Sequence, residues 1–255
     1  MSAALQFTLL PAKLKQAGFA GHMIGKGHLG YQTTDHLPIR RGFASHRGYL
    51  QAWEQYQHGL QPSCDVPQDA DLPGDNGGNG TGQWPPPGGA PRAANCHKDF
   101  WVDAAPADQA LLDSLFYSTN SYAERAIELI KANRDPLYIH LTWQAVHGPY
   151  TPAPAWESLQ PSSPYYSNYC PPPGVAQTQV QHERCDFGSM LKVVECVLKP
   201  PSSSGRSADG VLLLAVGSDG MANVTAALRA TGRWDDALLV ISSDNGGIGP
   251  GNNFP

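Results

Sequence analysis

Five polar residues follow apolar stretches of this sequence, at positions where parallel strands of a sheet would end. They are Lys26, His28, His147, Asp244 and Asn245. A hard divalent cation prefers carboxylate and amide oxygens as ligands, which the aspartate and the asparagine supply. An anionic substrate prefers the lysine and the histidines. The combination predicts hydrolysis of a charged ester, in which a metal ion and fixed cations stabilise the transferred group.

The elements that must position these residues alternate between helix and strand along the chain. Helices are predicted over 8–19, 107–132, near 183 and over 219–231, and buried strands over 20–24, 137–143 and 237–247, with a further strand candidate at 98–102. This alternation predicts an α/β fold with a mainly parallel sheet covered by helices on both faces. These five residues lie in three loops, after the strands at 20–24, 137–143 and 237–247. Because parallel strands end at one edge of a sheet, the three loops are expected to meet there.

Each loop taken alone also has a structural interpretation. Asp-Asn-Gly-Gly after a strand is very often a turn, and a single loop histidine is usually solvated. The spacing of the residues therefore favours a site without naming its reaction.

Composition excludes some classes of function. The 255 residues carry a net charge of −5 without a basic stripe, which argues against nucleic-acid binding. No apolar run approaches the roughly 20 residues that a membrane-spanning helix needs. The five cysteines contain no C-x-x-C, and they suit either two disulfides in a secreted protein or free thiols in the cytosol. The start, MSAALQFTLLPAK, lacks a signal peptide's charged region.

Residues 62–94 contain 14 glycines and prolines in 33 positions, a composition that cannot form a packed element. We expect them to form a disordered surface insertion.

Five stretches of the chain resemble type I sulfatases, most closely the arylsulfatase B-like group. They lie in family order and are LPAKLKQAGFAGHMIGKGHLG (10–30), LPIRRGFASHRGYL (37–50), YSTNSYAERAIELI (117–130), LYIHLTWQAVHGPYTPAP (137–154) and NVTAALRATGRWDDALLVISSDNGG (223–247). Within them, GK-x-HLG, VHGP and S-x-DNGG form a specific set of motifs.

The resemblance implies an alkaline-phosphatase-like α/β/α sandwich and a sulfuric ester hydrolase with one calcium ion. The family's nucleophile is a formylglycine made from a C-x-P-S-R motif. By motif, Asp244 and Asn245 would ligate calcium, and Lys26 would contact the sulfate and the leaving oxygen. His28 would hydrogen-bond the formylglycine, and His147 would bind sulfate and help protonate the leaving alcohol. The substrate would be a sulfate ester, either an aryl sulfate or a sulfated glycan.

The chain also departs from the family pattern. It contains no C-x-P-S-R, so it lacks the nucleophile, and Gly27 stands where the family usually has tryptophan. The family's paired calcium-binding aspartates and its second active-site lysine are missing as well. Residues 1–255 are therefore interpreted as a fragment of the N-terminal catalytic domain, incomplete at both ends, and we expect no sulfatase turnover from them.

Residues 196–218 interrupt a helix that is continuous in the family. Met190 and Asn223 lie 33 positions apart, and removing these 23 residues restores the family spacing. The segment, which contains Pro200-Pro201, is interpreted as an insertion or a translated intron. The alternative is an ordinary loop with a short strand.

Two other functions stay open at this stage. The chain could be a non-catalytic pseudoenzyme that binds sulfate or sulfated glycans, or a metal-dependent phosphodiesterase of the same superfamily. By resemblance, the protein is expected in the secretory pathway, extracellular or lysosomal, as a glycoprotein modified at Asn223 in an Asn-Val-Thr sequon. In that compartment Cys64 could pair with Cys96.

Overall fold

The structure is a computed structural model that describes residues 3–51, 99–114, 117–147, 161–162, 166–175, 181, 184–185, 188–190 and 220–242. Its helices are α1 (Leu10–Gln16), α2 (Gln109–Ser114), α3 (Ser118–Ala132), α4 (Tyr166–Tyr169) and α5 (Gly220–Ala230). Its strands are β1 (Ala20–Lys26), β2 (Ser45–Tyr49), β3 (Trp101–Val102), β4 (Ala105–Pro106) and β5 (Leu137–Thr142). Two short 3₁₀ helices, Thr34–His36 and Pro38–Arg40, connect β1 to β2. The predicted insertions 62–94 and 196–218 lie outside the described residues.

The strands form one mainly parallel sheet, as the alternation of elements predicts. The order is β4-β3-β2-β1-β5, and β1 pairs in parallel with both β2 and β5. The short strands β3 and β4 extend the β2 side of the sheet in antiparallel orientation. As the middle one of these three parallel strands, β1 therefore carries its carboxyl end to the same edge as β2 and β5.

Helices cover both faces of the sheet. On one face, α1 approaches β1 closely enough that a Cβ at Gly21 would lie 3.6 Å from the Pro11 side chain. On the opposite face, Ile24 of β1 belongs to a core built mainly from α3 and α5, whose buried members include Tyr122, Ala126 and Ile130. The apolar face predicted for the helix that contains Ala126 is thus confirmed in α3. Helices pack against β1 on both faces of the sheet.

The single helix predicted over 107–132 is wrong in one respect, because the chain forms two helices there. Tyr117 precedes α3 with extended backbone angles, φ −150° and ψ 122°. Its side chain is only 1% exposed. The chain thus leaves the helical conformation at Tyr117 and buries the aromatic ring there.

The buried strand predicted over 237–247 is also wrong for the part that the structure describes. Residues 237–242 form no strand, and Leu238 is 90% exposed. An apolar run becomes a strand only where a neighbouring strand accepts its hydrogen bonds, and the described sheet ends at β5 without pairing to this segment.

No helix in the described part of the chain is long and apolar enough to cross a membrane.

Candidate active site

The sheet brings three of the five predicted site residues to one edge. Gly25 of β1 pairs in register with Thr142 of β5, so both strands end at the same level. Lys26 is the last residue of β1 and His28 follows two positions later. His147 lies five positions beyond the end of β5. The other two predicted residues, Asp244 and Asn245, lie outside the described residues.

Lys26 lies where β1 leaves the sheet. It is partly buried, and its register partner on β2 is Tyr49. After it, the Gly27 N–H donates to the Tyr49 carbonyl at 2.8 Å, so the loop continues alongside β2 beyond the end of the strand. The backbone that carries the lysine is therefore held by its neighbour.

His28 is exposed and adopts a left-handed backbone conformation with φ 47°, which is uncommon for a residue other than glycine. Its N–H donates to the Leu50 carbonyl at 3.1 Å. This bond to the chain just past β2 fixes where the imidazole leaves the backbone.

Asp99 supports this edge and was missed by sequence reasoning. Its buried carboxylate accepts hydrogen bonds from the Leu50 and Gln51 N–H groups and from the Trp101 indole. Burial raises the pKa of Asp99, while these hydrogen bonds act in the opposite direction. The Leu50 carbonyl in turn accepts the hydrogen bond from the His28 N–H. Asp99 therefore stabilises the loop that carries His28 indirectly, through Leu50. No local motif marks this role, since it depends on a contact between distant parts of the chain.

His147 is exposed in the loop after β5. Its N–H donates to the Gln144 carbonyl at 2.8 Å, which closes a tight turn. Beside this turn, the Trp143 indole donates to the Thr119 carbonyl at 3.1 Å and ties the loop to helix α3. His147 is thus presented to solvent from an anchored loop at the same edge as Lys26.

The described residues alone do not form a metal site. No group of three or more His, Cys, Asp or Glu side chains within them is placed to hold a metal ion. The carboxylate and amide oxygens predicted as calcium ligands belong to Asp244 and Asn245, outside those ranges. Their donor chemistry fits a hard cation.

Within the described residues, a disulfide joins Cys170 to Cys185, which lie 15 positions apart. Sequence reasoning left the pairing of the cysteines open and did not single out this pair. Cys64 and Cys96, the pair it considered, lie outside the described residues.

Two solved structures have a fold similar to that of this chain. A structure of Ps i-CgsB in complex with k-i-k-neocarrahexaose has a TM-score of 0.53 and 12% identity, covering 92% of this chain and 39% of its own. A second structure of Ps i-CgsB has a TM-score of 0.52 and 13% identity, covering 91% and 38%. The fold is of the alkaline-phosphatase-like α/β class, as expected from the sequence.

The sulfatase family model matches residues 2–254, and the chain belongs to the sulfatase family. Arylsulfatase J of Mus musculus is 27% identical over 253 residues, which make up 96% of this chain and 30% of that protein. The resemblance noted in the sequence is thereby confirmed at the level of the family. This chain spans about a third of the length of these relatives.

Proposed function

We propose that this chain forms the sulfate-binding edge of a sulfate ester hydrolase and that the 255 residues alone bind sulfate without turning over esters. The observation that supports this most directly is the common edge of β1 and β5, where Lys26, His28 and His147 follow parallel strands. Membership of the sulfatase family supplies the class of substrate.

Each of the three side chains has a role that its chemistry supports. The Lys26 ammonium neutralises and hydrogen-bonds the sulfate oxygens, including the one that joins the leaving group. His147 hydrogen-bonds the sulfate and is the donor that protonates the leaving alcohol. His28 hydrogen-bonds the group that attacks sulfur.

A calcium ion would be held in part by Asp244 and Asn245. When bound, it supplies positive charge for the sulfate oxygens. The 255 residues contain no C-x-P-S-R sequence from which the family's nucleophile is made. Without a nucleophile the covalent route is closed, so these residues bind the ester but do not cleave it.

Calorimetry with sodium sulfate, using sodium chloride at matched ionic strength as the reference, tests this function. We expect sulfate to bind the 255-residue chain and Lys26→Ala to weaken it about tenfold or more, because a charge-assisted contact is lost. Lys131→Ala removes an exposed lysine from α3 and is the matched control. No product should form from an aryl sulfate.

Three results would contradict the proposal. Wild-type protein with no more affinity for sulfate than for chloride would refute sulfate binding. Steady release of product from an aryl sulfate by the purified chain would refute the absence of turnover. Equal losses of affinity in Lys26→Ala and Lys131→Ala would show that general charge, not the edge of the sheet, attracts the anion.

The proposal extends to a secretory location, extracellular or lysosomal. The disulfide between Cys170 and Cys185 supports it, because disulfides persist in oxidising compartments. Asn223, the predicted glycosylation site, lies partly buried on α5. Within its sequon the Thr225 hydroxyl donates to the Ala222 carbonyl at 2.8 Å.

Expression in cells, followed by a peptide map of the protein recovered from the cells and from the medium, tests the location. Trypsin cuts after Arg184, between the two cysteines, so a disulfide would join two peptides that separate on reduction. We expect the joined pair, and we expect removal of N-glycans to lower the mass of wild type by more than that of Asn223→Gln. Alkylation of both cysteines without prior reduction would contradict the pairing, and equal mass losses would contradict glycosylation at Asn223.

A further inference from the structure

Thr142, the last residue of β5, contacts the backbone of β1 through its side chain. Its hydroxyl oxygen lies 2.8 Å from the Lys26 carbonyl oxygen and 3.1 Å from the Ile24 carbonyl oxygen. A hydroxyl has a single proton to donate, so the shorter contact, to Lys26, is the principal hydrogen bond. Thr142 therefore continues the pairing of β1 and β5 after the backbone ladder between them has ended.

The peptide group between Lys26 and Gly27 is consequently held from both sides. Its carbonyl accepts from Thr142 of β5, and its N–H donates to the Tyr49 carbonyl of β2 at 2.8 Å. Because a peptide group is planar, fixing its carbonyl and its N–H fixes its orientation. The direction in which the Lys26 side chain leaves the backbone is set by that orientation.

From this geometry we infer that Thr142 is a positioning residue for Lys26. It does not touch the substrate, and it acts by holding the peptide group that follows the lysine. The inference rests on the proposed function, in which Lys26 binds the sulfate group. Glycine at positions 25 and 27 leaves the backbone around Lys26 free to turn, so a side-chain restraint matters more here than in an ordinary strand.

Replacement of Thr142 by valine is the direct test, because valine keeps the branched shape and removes the hydroxyl. Titration of sulfate by calorimetry should show a dissociation constant about three- to tenfold higher for Thr142→Val than for wild type. Thr142→Ser retains the hydroxyl and should keep most of the affinity. Rescue by serine distinguishes the hydrogen bond from a change in packing.

Thr231 offers a matched control at the end of α5. Its hydroxyl oxygen lies 2.8 Å from the Ala227 carbonyl oxygen and 3.2 Å from that of Leu228, nearly the same pair of contacts on another element. Both valine variants should lower the midpoint of thermal unfolding, because each loses a hydrogen bond, but Thr231→Val should leave sulfate affinity unchanged. Equal affinity of Thr142→Val and wild type, or equal losses in the two valine variants, would overturn the inference.

Failure of the proposed function gives a different result. If wild type does not bind sulfate, the function falls, and amide hydrogen exchange at Gly27 and His28 then tests the restraint itself. Faster exchange at these two amides in Thr142→Val than in wild type would support the restraint. Equal exchange rates would overturn it.

Discussion

Replacement of Gly25 by alanine is expected to destabilise the folded state severely. Gly25 lies within β1 at φ +98°, and a Cβ there would sit 1.9 Å from the Thr142 carbonyl oxygen. A left-handed conformation costs a non-glycine residue roughly 1–2 kcal/mol. The overlap costs more, because β1 would have to move away from its neighbour β5. A total above about 4 kcal/mol is a large share of the roughly 5–15 kcal/mol by which proteins are stable.

Gly18→Ala separates these two costs. Gly18 follows helix α1 at φ +88°, a similar conformation, but nothing lies within 4 Å of the position its Cβ would take. We expect this variant to fold with a loss of only about 1–2 kcal/mol, the cost of the left-handed conformation alone. Urea denaturation and the yield of soluble protein compare the two. A Gly25→Ala protein as stable as Gly18→Ala would show that β1 and β5 do not approach so closely.

Some strands of this sheet can be predicted from the sequence and others cannot, for a physical reason. Periodicity identified β1 and β5 because both are apolar and lie beside the core. It missed β2, Ser45–Tyr49, whose residues SHRGY show no apolar run. This strand forms because β1 supplies hydrogen-bonding partners along its length, from Ser45 opposite His22 to Tyr49 opposite Lys26. Pairing between distant segments has no local sequence signal.

In the candidate site, too, some residues have a local sequence signal and others do not. The position of Lys26, His28 and His147 at one edge could be predicted, because they follow or end parallel strands, while their roles in a site stay a prediction. The groups that hold them could not: Asp99 reaches Leu50 across 49 positions, and Thr142 reaches Lys26 across 116. Sequence motifs can reveal the loop residues of a site. The residues that support those loops are distant in sequence and become their neighbours only when the chain folds.

Acid is expected to destabilise this fold through His46. The side chain is 1% exposed on β2, and burial lowers its pKa from 6.5 to about 4. The Gly25 carbonyl and the Asp103 carboxylate favour the charged ring, but neither ring nitrogen has a hydrogen-bond partner among the described residues. The neutral ring is therefore the form that the folded protein accommodates.

The sign of the effect follows from comparing the folded and unfolded chains. Between pH 6.5 and pH 4 the unfolded chain binds a proton at His46 that the folded protein does not, so stability falls as the pH falls through this window. The complete effect is about 3 kcal/mol, from roughly 1.4 kcal/mol per pKa unit. It is absent above pH 7 and fully developed below pH 4, so an acidic compartment would expose the protein to much of it.

Measurement of the free energy of unfolding between pH 7.5 and pH 4 tests this expectation. His46→Met removes the titrating group, and it sacrifices no ring hydrogen bond within the described residues, so its stability should depend less on pH than that of wild type, by up to one proton. His140→Gln is the control: neighbouring groups partly desolvate His140 and lower its pKa, but its side chain remains exposed on β5, so it should contribute less than His46. If wild type and His46→Met lose stability in parallel across this range, other groups, such as the carboxylates, cause the acid sensitivity and His46 does not.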